Sequence, residues 1–163
     1  MGFGFNLFFV FILLPFTIAS AIIWLGITVL ILLAVLIQSL TSKTVLAKED
    51  YYGNYVVNRD YFPGKQADWQ YNTFRFEIKS NDSIYFYVTD EEKVIQTYRG
   101  TVDMNGPYQS KRLKNKMVTP THHIVADNPT TYRSIWSFYL VFNSQKFSNM
   151  FFKKGIWKPL ETR

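Results

Sequence analysis

Between Met1 and Lys43 the chain carries no Lys, Arg, Asp, Glu or His, and Phe, Leu, Ile and Val fill most positions. From Lys43 onward, apolar residues alternate with polar ones in short stretches separated by turn residues. The first pattern is that of a segment in contact with hydrocarbon, and the second is that of half-buried strands.

A continuous helix from Phe3 to Leu40 would measure about 57 Å at ~1.5 Å per residue, against a hydrocarbon core of about 30 Å. Tilt alone would have to reach about 58°, beyond the ~40° upper end of observed tilts. The run is therefore expected to fold as a transmembrane helical hairpin over residues 1–42. Its turn falls at Pro15–Ser20 or at Trp24–Gly26. The second position is preferred because it gives more equal halves and sets the Trp24 ring at headgroup level. A secretory signal peptide fits less well, since no basic residue precedes Lys43 and the apolar run is too long. The run holds no ionisable side chain, so it offers no proton relay or ion pathway.

The remainder reads as a connector over 43–50 and an all-β domain over 51–158. Expected strands lie at Tyr51–Asn58, Tyr71–Lys79, Ile84–Thr89, Val94–Asp103, Gln109–Val118, His122–Ala126, Thr130–Phe142 and Phe147–Lys153. The clearest alternation is Phe74, Phe76 and Ile78 against Arg75, Glu77 and Lys79, answered by Ile84, Phe86 and Val88 on the return strand. Ser80–Ser83, Asp90–Lys93, Asn105–Pro107 and Asp127–Pro129 supply turns. Gly100 is expected to form a bulge or bend. Residues 59–70, with Pro63-Gly64, read as a loop. A run of about eight hairpin-linked strands predicts an antiparallel meander, closed or nearly closed into a barrel.

Gly53-Asn54-Tyr55, followed by the large Pro63-Gly64 loop and the hairpin series, resembles the lipocalin-like (calycin) group of small up-and-down barrels. That group opens with G-x-W in its first strand, and here Tyr55 stands where the family has Trp. The resemblance covers roughly residues 51–153 and implies a small or apolar ligand held inside a barrel, by analogy of fold alone.

All 18 basic and 12 acidic side chains fall after residue 42, so the second part carries the whole net charge of +6. It also holds all 11 Tyr and most of the 15 Phe, an enrichment that favours strands. The absence of cysteine excludes a disulfide framework, thiolate catalysis, Cys-ligated zinc and a cysteine-linked lipid. No nucleophile elbow, phosphate loop or HExxH element occurs, and no catalytic, cofactor-binding or metal site is expected. His122 and His123, as neighbours on a strand, would point to opposite faces and not share one metal.

Two candidate sites remain. Phe74, Phe76, Phe86, Trp136 and Phe138 would line a ligand pocket if the barrel is hollow. Arg112, Lys114 and Lys116 alternate along one strand and would meet anionic lipid headgroups if that face lies on the bilayer. The expected partners are the bilayer itself and anionic headgroups or another membrane protein, with no nucleic acid. Lys43 and Lys48 beside the exit from the membrane favour a cytoplasmic placement of the domain. Three functions stay open: a membrane-anchored binding domain with a pocket, an accessory or interaction subunit with a solid aromatic core, and an enzyme of unknown type.

Overall fold

The computed structural model describes residues 3–61, 64–104 and 106–160, with side chains described from Phe16 on. Phe62, Pro63 and Asn105, each expected in a turn, lie outside the described residues. The chain divides into two compact units, residues 1–42 and 43–163.

The first unit is one uninterrupted helix, α1 (Phe3–Thr41), and this corrects the expected hairpin. Its physical reason lies in the backbone. A break would strand about four N–H and four C=O groups on each side of the turn. The residues from Leu14 to Gly26 offer only Thr17 and Ser20 as polar side chains to cap them. Continuing the helix pairs these groups along the chain, apart from the Phe11 carbonyl, for which Pro15 has no N–H to donate. The hydroxyls follow the same rule. Ser20 donates to the Thr17 carbonyl at 2.9 Å, Thr28 to Trp24 at 2.8 Å and Thr41 to Ile37 at 2.8 Å. Gly26 lies within the helix and marks no turn. The portion Phe16–Thr41 is 26 residues long and apolar enough to cross a membrane.

The second unit is an eight-stranded antiparallel sheet curled into an open half-barrel, in the order β5-β4-β3-β2-β1-β8-β7-β6. The strands are β1 (Gly53–Val57), β2 (Phe74–Ile78), β3 (Ser83–Asp90), β4 (Lys93–Asp103), β5 (Lys114–Met117), β6 (Thr130–Arg133), β7 (Phe138–Ser144) and β8 (Ser148–Lys154). Consecutive strands pair, except that β1 also pairs β8 and β5 does not pair β6 among the described residues. Closure into a barrel is thus not seen. Both edge strands are only four residues long, and the segment between them fills the opening. Its Ile124 and Val125 are fully buried, and Asn115 of β5 holds it by donating to the Val125 carbonyl at 2.6 Å.

Four local expectations are corrected. Residues 65–73 form a helix, α2 (Lys65–Thr73), in place of part of a loop and the start of a strand. Thr130–Phe142 is not one strand but β6 and β7, joined by a turn over Ser134–Ser137. His122–Ala126 is not a strand. Gly100 is also no bulge: it pairs regularly with Met117, and the irregularity of β4 lies opposite Val88/Thr89. Gly100 serves close approach instead, since a Cβ there would stand 2.6 Å from the Lys116 carbonyl oxygen.

The concave face is the core. Phe74, Phe76 and Ile78 of β2 face Ile84 and Phe86 of β3, with Tyr55 and Val57 of β1, Leu140 and Phe142 of β7, and Met150 and Phe152 of β8. The period-2 alternation places these side chains inward and Arg75, Glu77, Tyr85 and Tyr87 outward.

Candidate functional site

The interior is built from stacked and edge-to-face rings. Tyr55 stacks on Phe76 with centroids 4.5 Å apart, and Phe76 meets Phe152 and Phe142 edge-on at 5.2 and 5.7 Å. Phe74 stacks on Phe86 at 6.1 Å, and His122 covers both. Of the five residues expected to line a pocket, Phe74, Phe76 and Phe86 converge on this core and are buried. Phe138 is half-buried against Tyr51 at 5.1 Å. Trp136 does not join them: it sits in the β6–β7 turn, 85% exposed. The expected alternation failed there because the turn breaks the register between β6 and β7.

The histidine pair lies at the end of the core near the β7–β8 turn, with its rings 4.3 Å apart, not on opposite faces of a strand. Burial, then the neighbouring His123 and Lys146, pulls the pKa of His122 down to about 4. Burial and Lys146 lower that of His123 as well. His123 Nδ1 lies 2.9 Å from Ser144 Oγ. That hydroxyl accepts from the amides of Lys146 and Phe147, so its own proton is left for the ring nitrogen of a neutral His123. Among the described residues no group of His, Asp and Glu is placed to hold a metal ion.

The opposite end of the sheet gathers the segment that follows α1. Thr44 donates its amide to the Ser134 carbonyl at 3.0 Å and its hydroxyl to the Ile135 carbonyl at 2.6 Å. Arg133 Nη1 returns a bond to the Thr44 carbonyl at 3.1 Å. Two residues on, Leu46 is buried in the core, its amide donating to Ser110 Oγ and its carbonyl accepting from the Lys111 amide. Lys48 then pairs with Asp82 at 2.6 Å, and Tyr52 donates to the same carboxylate at 2.8 Å. These hydrogen bonds raise the Lys48 pKa and lower that of Asp82, the Lys48–Asp82 bond contributing most to each. Tyr51 and Tyr55, fully buried, are pushed up by burial, and each has its hydroxyl satisfied by a main-chain oxygen. Residues 43–50, expected as a connector, therefore pack as part of the second unit.

Beside this segment lies a cleft of about 470 Å³ lined by Lys111, Arg112, Arg133, Tyr108 and Thr131. Arg112 lies over the Tyr108 ring at 3.9 Å. A second cleft of about 580 Å³ is lined by Thr44, Trp136, Phe138 and Lys154. Arg112, Lys114 and Lys116 are all exposed and alternate with Leu113, Asn115 and Met117. β5 itself begins at Lys114, so Arg112 belongs to the segment leading into it. As edge-strand lysines, Lys114 and Lys116 also discourage pairing with a foreign strand.

Sequence reasoning missed Thr44, Arg133 and the Ile135-Trp136 tip. The available signal was the pair of serines, Ser134 and Ser137, bracketing two large apolar residues in a stretch otherwise read as one strand. No family model matches the chain, and neither a curated protein nor a solved structure matches it.

Proposed function

We propose that the chain is a membrane-anchored, non-enzymatic interaction module. In this reading α1 crosses the bilayer once, and the half-barrel works through its surface, as an accessory or interaction subunit with a solid core. The supporting observation is the filled concave face: Phe76, Phe86, Phe142 and Phe152 are at most 1% exposed, the rings of Phe76, Phe142 and Phe152 lie against one another, and that of Phe86 lies against His122 at 5.0 Å. A ligand inside the sheet, as the lipocalin-like resemblance implies, would have to displace these rings at the density of a protein interior.

The basic residues support one orientation. Lys43 and Lys48 follow α1 directly, and the main-chain bonds of Leu46 bring Lys111 into the same neighbourhood. Positive charge at a membrane exit favours the cytoplasmic side, which supports a cytoplasmic half-barrel.

Xenon binding to the full chain in detergent micelles tests the solid core, read from the methyl resonances of Ile78 and Ile84. The parent should show no shift. Phe86→Ala should open an apolar space and gain one. A shift in the parent at the same xenon pressure favours the pocket reading.

A further inference from the structure

The residues bonded to Thr44 have a bearing on the membrane that follows from chain connectivity. Ser42 and Lys43 alone separate Thr44 from the last residue of α1, Thr41. Three residues of chain reach at most about 11 Å at ~3.6 Å each. Thr44 is tied to Ser134, Ile135 and Arg133. The β6–β7 turn is therefore held to the point at which the chain enters the second unit.

That turn has the chemistry of a bilayer interface. Trp136 is 85% exposed at its tip, and Ile135 beside it is also exposed. An exposed Trp is costly in water and at home among headgroups, where its ring is amphipathic. Arg133, three residues before Trp136, lines a cleft with Lys111 and Arg112 that has no Asp or Glu among its lining residues, whereas the cleft that Trp136 itself lines also takes in Asp50, Asp60, Lys153 and Lys154. Arginine and lysine grouped in this way suit a phosphate, Arg by its planar fork and Lys as a point charge. Along the chain, Asp127 lies two residues before Pro129 of the cleft lining, and Glu49 and Asp50 follow Lys48, Asp50 accepting from the Ala47 amide at 2.8 Å.

We propose that the Ile135-Trp136 tip and the Lys111–Arg112–Arg133 cleft together form a lipid-docking surface, with the tip in the interfacial layer and the cleft on the headgroup of an anionic phospholipid. The inference rests on the membrane reading of α1. It differs from the sequence expectation, which placed the anionic contact on Arg112, Lys114 and Lys116. Arg112 is common to both, whereas Lys114 and Lys116 lie on β5 outside the cleft.

The chain has no native cysteine, so single cysteines can carry a nitroxide. The full chain is reconstituted in vesicles of phosphatidylcholine and phosphatidylserine. Labels are placed through Leu30→Cys in α1, Ser137→Cys beside the tip, and Gln145→Cys in the β7–β8 turn, about 20 Å from the tip along β7. Relaxation by oxygen, which partitions into lipid, is compared with relaxation by an aqueous nickel complex. Residue 137 should be shielded from nickel relative to residue 145. The docked-to-undocked ratio should fall about five-fold for each charge removed in Lys111→Gln and Arg112→Gln. It should also fall in phosphatidylcholine alone and in Trp136→Ser, a change at an exposed side chain. Equal nickel access at 137 and 145, with residue 30 shielded, overturns the docking surface and leaves the membrane reading standing. Nickel access at residue 30 overturns both. A loss in Lys114→Gln/Lys116→Gln as large as in Lys111→Gln/Arg112→Gln overturns the assignment to the cleft.

Discussion

The Thr44 hydroxyl donates to the Ile135 carbonyl across 91 positions of sequence, at 2.6 Å. Together with the Thr44 amide bond to Ser134, it ties the start of the second unit to the β6–β7 turn. Thr44→Val keeps the shape of the side chain and removes this bond. It should cost about 0.5–1.5 kcal/mol, the usual net value of one hydrogen bond. Urea unfolding of the full chain in micelles, followed by tyrosine and tryptophan fluorescence, measures it. Amide exchange should accelerate at Ile135 and Trp136 before it does at Phe142.

Phe76 and Trp136, both once expected in a pocket, should behave oppositely. Phe76→Ala removes a ring that touches Tyr55, Phe142 and Phe152, and should cost about 3–5 kcal/mol. Trp136→Ala removes an exposed ring and should change stability by less than about 0.5 kcal/mol. Comparable losses at the two positions would mean that Trp136 packs on the core.

The contrast between those residues also measures what could be read in advance. The inward set of β2 and β3 was legible because alternation reports a face wherever one side of a strand is buried. Phe74, Phe76, Ile78, Ile84, Phe86 and Val88 all join the core, Val88 only in part. Trp136 was misplaced because alternation cannot report a turn made of large residues, and Ser134-Ile135-Trp136-Ser137 contains no Gly, Pro or Asn. The number of strands came out as expected for a compensating reason: His122–Ala126 is not a strand, while Thr130–Phe142 is two. The helix α2 was hidden by Pro63-Gly64, which reads as a loop although Gly64 immediately precedes the helix. Bilayer thickness and the tilt limit predict a hairpin in residues 1–42, and the unsatisfied backbone that a turn would create opposes it. Of the proposed docking surface only Arg112 was legible, since Lys111 and Arg133 are tied to one segment through bonds to Leu46 and Thr44.

Acid should weaken the fold through His122. Its pKa is about 4 in the folded chain against 6.5 ordinarily, so the unfolded chain takes up the proton first. Stability from this group is present above about pH 6.5 and is lost as the pH falls toward about 4. His123 shifts in the same direction. The Asp82 carboxyl, held below its ordinary value of 3.8, loses its contribution only in stronger acid. Urea midpoints should therefore be lower at about pH 5 than at about pH 7.5, with the difference reduced in His122→Gln. An unchanged difference would assign the acid sensitivity elsewhere.

Gly100→Ala should displace β5. The added Cβ would stand 2.6 Å from the Lys116 carbonyl oxygen and 2.9 Å from Met117 Cα, both main-chain atoms that cannot swing away. The expected cost is about 1–3 kcal/mol, that of overpacking. Amide exchange should rise at Lys116 and Met117 and stay unchanged in β7 and β8.

The most direct test of the account is the side of the membrane on which each end of α1 emerges. A single cysteine at Gly2 and, in a separate chain, one at Gln145 are challenged in sealed vesicles with a membrane-impermeant maleimide, before and after permeabilisation. One continuous crossing predicts opposite sides: whichever position is labelled in intact vesicles, the other requires permeabilisation. Labelling of both positions from the same side would contradict the single crossing and restore a hairpin within residues 3–41.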